Sequence, residues 1–89
     1  MGELEHIRPG VGVLNVRCGD VVKRSEEVSG DRDLDTLHRE ILIITQIPDG
    51  YKRVIAEVSI GIRYPQGNRF SIPETQLTPK YFMKLEIGG

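Results

Sequence analysis

Few residues in this chain are of the kinds that perform chemistry, and their spacing decides between catalysis and binding. The histidines are His6 and His38, and the single cysteine is Cys18. General acid–base catalysis most often uses a histidine poised near neutral pH. Here His6 falls in a polar lead-in and His38 in a polar loop. A nucleophilic thiol needs a base to activate it. The sequence supplies no recognisable partner for Cys18, which reads as a small buried hydrophobe. No serine sits in a Gly-x-Ser-x-Gly elbow. Asp31, Asp33 and Asp35 imitate the opening of a calcium loop. Such a loop demands Gly at its sixth position and Glu at its twelfth, and counting from Asp31 those positions are Thr36 and Leu42. Cys18, His6 and His38 lack the close paired spacing of a zinc site. Gly10-Val11-Gly12 lacks the third glycine and the following helix of a phosphate cradle. The expectation is a non-enzymatic chain with no metal and no cofactor.

Two binding readings remain. The first rests on surplus apolar surface. Ile55 is expected to point away from the main apolar face of its strand. Residues 41–47 are apolar on both faces, and Phe82 opposes a Tyr81/Met83/Leu85 stripe. Leu34 and Leu37 add apolar groups to the loop over residues 25–39. Large exposed apolar patches mark interfaces. The partner class is therefore a protein, or a second copy of the chain, with edge-strand pairing as one mode. The second reading is nucleic-acid binding. Lys52, Arg53, Arg63 and Arg69 fall on the hairpins around residues 48–70, with Tyr51, Tyr64 and Phe70 nearby. Single strands need cations for phosphates and aromatic platforms for bases. Glu57 on the same strand face, and eight Glu with five Asp overall, weaken that field.

The elements that position these groups are strands. The chain has 89 residues, a net charge of -1 and 38% hydrophobic residues. It contains ten Ile and eight Val but one Ala. β-branched residues favour strands, and helical domains use Ala freely. The length allows one domain, expected over residues 11–87, with a polar lead-in at 1–10 and a frayed tail at 88–89. No apolar run approaches the roughly 20 residues that span a bilayer, so no membrane association is expected. The start Met1-Gly2-Glu3-Leu4-Glu5 lacks the basic and apolar regions of a secretory signal, and one cysteine cannot staple the chain internally. A cytoplasmic location is the expectation.

Along the chain, Val11 to Cys18 reads as a first apolar run with a change of phase near Leu14, and Val21 to Arg24 as a short strand. Residues 25–39 read as a long loop in which Asp33 caps a short helical turn carrying Leu34 and Leu37. Residues 40–47 read as a central strand. Pro48-Asp49-Gly50 suits a turn with Gly in the left-handed position. A return strand is expected from Tyr51 to Tyr64, with Lys52, Val54, Ala56, Val58, Ile60, Ile62 and Tyr64 on one face and a kink or bulge at Gly61. Arg69 to Ile72 pairs back with Phe70 and Ile72 inward, and Pro73 ends that strand. Pro73 to Leu77 suits a single helical turn. The last strand is expected to alternate Tyr81, Met83, Leu85 and Ile87 against Phe82, Lys84 and Glu86.

Five or six short strands, a long early loop, tight later hairpins and one short helical turn before the last strand describe a mainly β, small barrel. The segments Gly19 to Arg24, Glu40 to Val58, Gly67 to Leu77 and Tyr81-Phe82 together resemble Src-homology-3-like (SH3-like) barrels of small bacterial and phage proteins. The resemblance covers roughly residues 19–85 and implies an architecture rather than an activity. Signalling domains of that type grip polyproline with a tyrosine-rich loop and a tryptophan; this chain has no tryptophan, so the resemblance does not carry polyproline recognition with it. A partly open oligonucleotide-type barrel is the second architecture.

Overall fold

Strand-forming sequence gives five strands. The computed structural model describes residues 10–48, 50 and 52–86. In order they form β1 (Val21–Arg24), α1 (Arg32–Asp35), β2 (Ile41–Gln46), β3 (Arg53–Ile60), β4 (Arg69–Pro73), a 3-10 turn (Glu74–Gln76) and β5 (Phe82–Leu85). The strands make one antiparallel sheet in the order β4-β3-β2-β1-β5. The run of isoleucines at 40–47 therefore becomes the middle strand, as its two apolar faces require. The sheet curls over its inner face. There Val22, Leu42, Ile44, Val54, Ala56, Val58, Ile72 and Phe82 are buried together, capped by Leu34 and Leu37 from the β1–β2 connection and by Val11, Val16 and Leu77. Among the described residues no helix is long and apolar enough to cross a membrane.

Several expectations are corrected by strand register. Val11 to Cys18 is not a strand. Val11 and Val16 form an isolated bridge, each amide donating to the other's carbonyl at 2.9 and 3.1 Å, around a turn with Gly12 at φ 74°. Gly12 packs directly on Leu77, where a Cβ would collide. Both valines are buried, Val13 faces out, and Cys18 lies exposed beyond the bridge rather than in the core. The helical turn at 32–35 is capped by Asp31, not Asp33. The Asp31 side chain accepts from the amides of Asp33 and Leu34, satisfying donors the first turn leaves orphaned.

The return strand has eight residues, Arg53–Ile60, not fourteen. Val54, Ala56 and Val58 keep the expected inward alternation, but Ile60 and Ile62 do not. The cause is a bulge. Ile41 pairs with Ile60 while Leu42 pairs with Val58, leaving Ser59 as an extra residue. An inserted residue reverses the alternation beyond it, so Ile60 leaves the core face. The chain then turns out of the sheet at Gly61, where a Cβ would strike the Tyr64 carbonyl. In β5 the phase is the reverse of the expected one. Register against β1 sets Phe82 opposite Arg24 on the buried side and Met83 opposite Lys23 on the outer side. Gly50 has φ 88°, the left-handed backbone foreseen for the turn after β2; Asp49 and Tyr51 on either side of it lie outside the described residues, as do 1–9 (with His6) and 87–89 (with Ile87).

Gly61 gives a direct check. Gly61→Ala should lower stability by about 2 kcal/mol, the scale of a backbone clash that must be relieved by movement, read from the urea midpoint at constant m-value. An unchanged midpoint would contradict the close approach to Tyr64.

Candidate functional site

The sheet has two faces, and among the described residues the core is packed on one of them. Residues that alternate with the core point outward, and register brings them into rows. Met83 on β5, Lys23 on β1, Ile41 on β2 and Ile60 on β3 are successive cross-strand partners. The next row is Leu85, Val21, Ile43, Glu57 and Arg69. Ile55 shares this outer face, opposite Ser71 of β4. Ile60 is 63% exposed and Met83 55%, and Ile62 just beyond Ile60 is also exposed. Ile41, Ile43, Ile55 and Leu85 are half-buried. Neighbouring strands are about 4.8 Å apart, so the first row extends about 15 Å across the sheet and is broken by one cation.

This places the residues expected to contact a partner in two groups. Ile55 is on the outer face as expected. Phe82, Leu34 and Leu37 are not available, because all three are inside the core at 1% exposure or less. Phe82 is inward because β1 fixes the β5 register, and the leucines because α1 and the turn that follows it pack onto the core. Met83, Ile60, Ile41 and Ile43 are the apolar residues that the register sets on the outer face with Ile55. Ile41 and Ile43 were legible as half of a two-faced apolar strand; Ile60 was not, since nothing in the sequence announces the Ser59 bulge.

The cations of the second reading are spread out. Lys52 and Arg53 are exposed at the start of β3, whereas Arg63 lies past its other end, in the turn after Gly61. Eight strand residues at about 3.3 Å each put about 25 Å between those ends. Arg69 lies beside Glu57, with Nε 3.2 Å from Oε2. Phe70 and Tyr64 pack edge to face at 4.9 Å against the core rather than standing as platforms. Tyr51 lies outside the described residues.

Two buried charged side chains order the connections around the outer face. The Arg24 guanidinium is fully buried. Its Nη1 donates to Ser25 O (3.0 Å), Ser25 Oγ (3.1 Å) and Tyr81 O (3.2 Å), and its Nη2 to Glu27 O (2.9 Å) and Asp35 Oδ1 (3.1 Å). It also stacks over Tyr81 and Phe82, 5.2 and 5.4 Å from the ring centroids. Burial pushes the Arg24 pKa below its ordinary value, against the pull of Asp35. Asp35 in turn accepts from the Ser29 amide (2.8 Å), the Ser29 hydroxyl (2.9 Å) and the Gly30 amide (3.2 Å). These bonds, the Ser29 amide first, hold its carboxyl below the usual value of 3.8. Glu40 is also fully buried and accepts from the amides of Ile62 (2.6 Å), Arg63 (3.1 Å) and Tyr64 (3.2 Å). The Tyr64 hydroxyl donates to Thr36 Oγ1 at 2.7 Å, tying that turn to the β1–β2 loop. Sequence reading passed over both charges as strand ends. The available signal was the alternation itself, since Arg24 is two residues from Val22 and Glu40 two from Leu42.

Where the β1–β2 loop leaves the sheet, a groove of about 320 Å³ opens beside the outer face. Phe82 and Arg24 are its buried members, Pro79 and Met83 its apolar wall, and Lys23 and Arg39 its cations, with Glu26 also present. The hollow between Gly19-Asp20 and Lys84-Glu86 is larger, about 660 Å³. There Lys84 Nζ lies 3.4 Å from Asp20 Oδ2, and the remaining charged lining residue is the acidic Glu86. Among the described residues no group of three or more potential metal ligands comes together, and Asp31, Asp33 and Asp35 serve as cap, first-turn and loop-fixing residues instead. No family model, no curated protein and no solved structure matches the chain.

The Arg24–Asp35 contact yields two expectations. Arg24→Met should cost about 3 kcal/mol, because it strips donors from carbonyls that stay near the core. A loss under about 1 kcal/mol by urea unfolding would contradict a structural role of that scale. Asp35 has a depressed folded-state pKa, so its stabilisation is present above its unfolded value and is lost as pH falls through the lower folded one. Asp35→Asn should therefore weaken the protein at neutral pH and flatten the loss of stability below about pH 4. An unaltered acid limb would contradict this.

Proposed function

We propose that the chain is a non-enzymatic interaction module, an SH3-like small barrel that docks a protein surface, its own second copy or another chain, on the outer face of the sheet. The architecture part of this reading is supported by the pairing of β1 with the last strand, the long β1–β2 connection and the 3-10 turn ahead of β5. One observation carries the functional part: the Met83–Lys23–Ile41–Ile60 row crosses four strands with its ends exposed. An apolar band of this extent left in water favours burial against another surface. The nucleic-acid reading is not preferred, since Arg53 and Arg63 lie at opposite ends of β3 and Arg69 sits beside Glu57.

The test uses a photo-crosslinking residue at Ile60, at Met83 and at Val28, which is more exposed than either but on the β1–β2 loop. In the host that makes the chain, Ile60 and Met83 should give the same discrete product and Val28 should not. Sedimentation of the purified chain over a range of concentrations tells whether that product is a homodimer, and Ile60→Lys should abolish it. Equal labelling from all three positions, or none from Ile60 and Met83, would overturn the reading.

A further inference from the structure

The groove beside the outer face assigns a chemistry to the partner, and this inference rests on the interaction-module reading. We propose that it takes an extended segment carrying a carboxylate two residues from an apolar side chain. Three observations converge on it. First, its cations have no carboxylate partner within ion-pair distance among the described residues. Lys84 lies beside Asp20, Arg69 beside Glu57 and Arg24 beside Asp35, but neither Lys23 nor Arg39 has such a neighbour. Second, Arg39 occupies a left-handed backbone conformation, φ 67°, just after the α1 turn. Glycine holds that position at no steric cost and arginine does not, so the backbone at Arg39 is strained relative to glycine. Third, the Arg24 Nε–H inside the groove's lining is buried without an acceptor, one donor left open although the guanidinium's other nitrogens are held by carbonyls and Asp35.

Spacing gives the ligand its pattern. The Arg39 amide donates to Arg24 O at 2.8 Å, so Arg39 is the residue across the ladder from the end of β1. Pro79 and Met83 form the wall on the β5 side. Lys23 stands one strand from Met83 and Arg39 two, about 5 and 10 Å, a span that brackets the roughly 7 Å between alternate side chains of an extended segment. An apolar side chain seated on Pro79 and Met83 therefore brings a carboxylate two residues away over Lys23 and Arg39. Glu26 repels that carboxylate and sets a limit on affinity.

The probes are acetyl-Ser-Leu-Ser-Glu-Ser-amide and the same peptide with Lys in place of Glu, titrated into the labelled full chain and followed by amide chemical shifts. The Glu peptide should move the Lys23, Ser25, Arg39 and Met83 amides, with an affinity that falls as salt is raised. The Lys peptide should not move them. Arg39→Glu and Lys23→Glu should each weaken binding about tenfold, and Glu26→Gln should strengthen it. Arg39→Gly separates recognition from folding: it should leave the unfolding midpoint equal or higher, yet lose binding. Equal shifts from both peptides, or shifts confined to Ile41 and Ile60, would overturn the groove's chemistry while leaving the outer face as a docking surface. No shift at millimolar peptide, or full binding by Arg39→Gly, would also overturn it.

Discussion

Two ions inside the core of a 10-kDa chain constrain everything around them. A guanidinium or carboxylate taken out of water costs several kcal/mol unless its hydrogen-bonding capacity is met. Arg24 and Glu40 meet most of theirs by collecting backbone groups from segments that have no regular structure. Arg24 takes carbonyls from residues 25, 27 and 81, and Glu40 takes three successive amides from 62 to 64. Arg24 ends β1 and Glu40 immediately precedes β2, and the two are joined by the Arg24 amide donating to Glu40 O at 3.0 Å. The β1–β2 loop, the turn after β3 and the approach to β5 are thus referred to a single end of the sheet. Loops in a small domain usually depend on apolar contacts for their order; here charge supplies much of it.

This arrangement explains why the outer face can be apolar at all. The inner face has enough Val, Ile and Leu to make the core without help from Ile41, Ile43 or Ile60. The Ser59 bulge sends Ile60 to the outside in line with Ile41, and bulges commonly re-aim a side chain in this way. A regular ladder would have continued the Val54, Ala56, Val58 series and set Ser59 opposite Ile41, ending the outer row in a polar residue.

The sequence made the β class, the central place of residues 41–47, the turn with glycine at 50 and the helical turn after Pro73 legible, because each depends on local residue types. What it hid depends on pairing. The extent of β3 and the side taken by Ile60 follow from a bulge; the inward turn of Phe82 follows from its register with Arg24. Val11 to Cys18 has the composition of a strand, but Gly12 closes it into a turn against Leu77. Of the groove, Arg39 was the least readable residue, since its exceptional feature is a backbone angle and not a sequence pattern.

The sheet's two margins differ in a way that matters when many molecules are crowded together. The β4 margin ends in Pro73, which has no amide hydrogen to offer, and carries the charged Arg69. The β5 margin is four residues long and carries Lys84. Strand-to-strand growth needs a long, uncharged run of donors and acceptors. Concentrated solutions of this protein should consequently resist polymerising into fibrils.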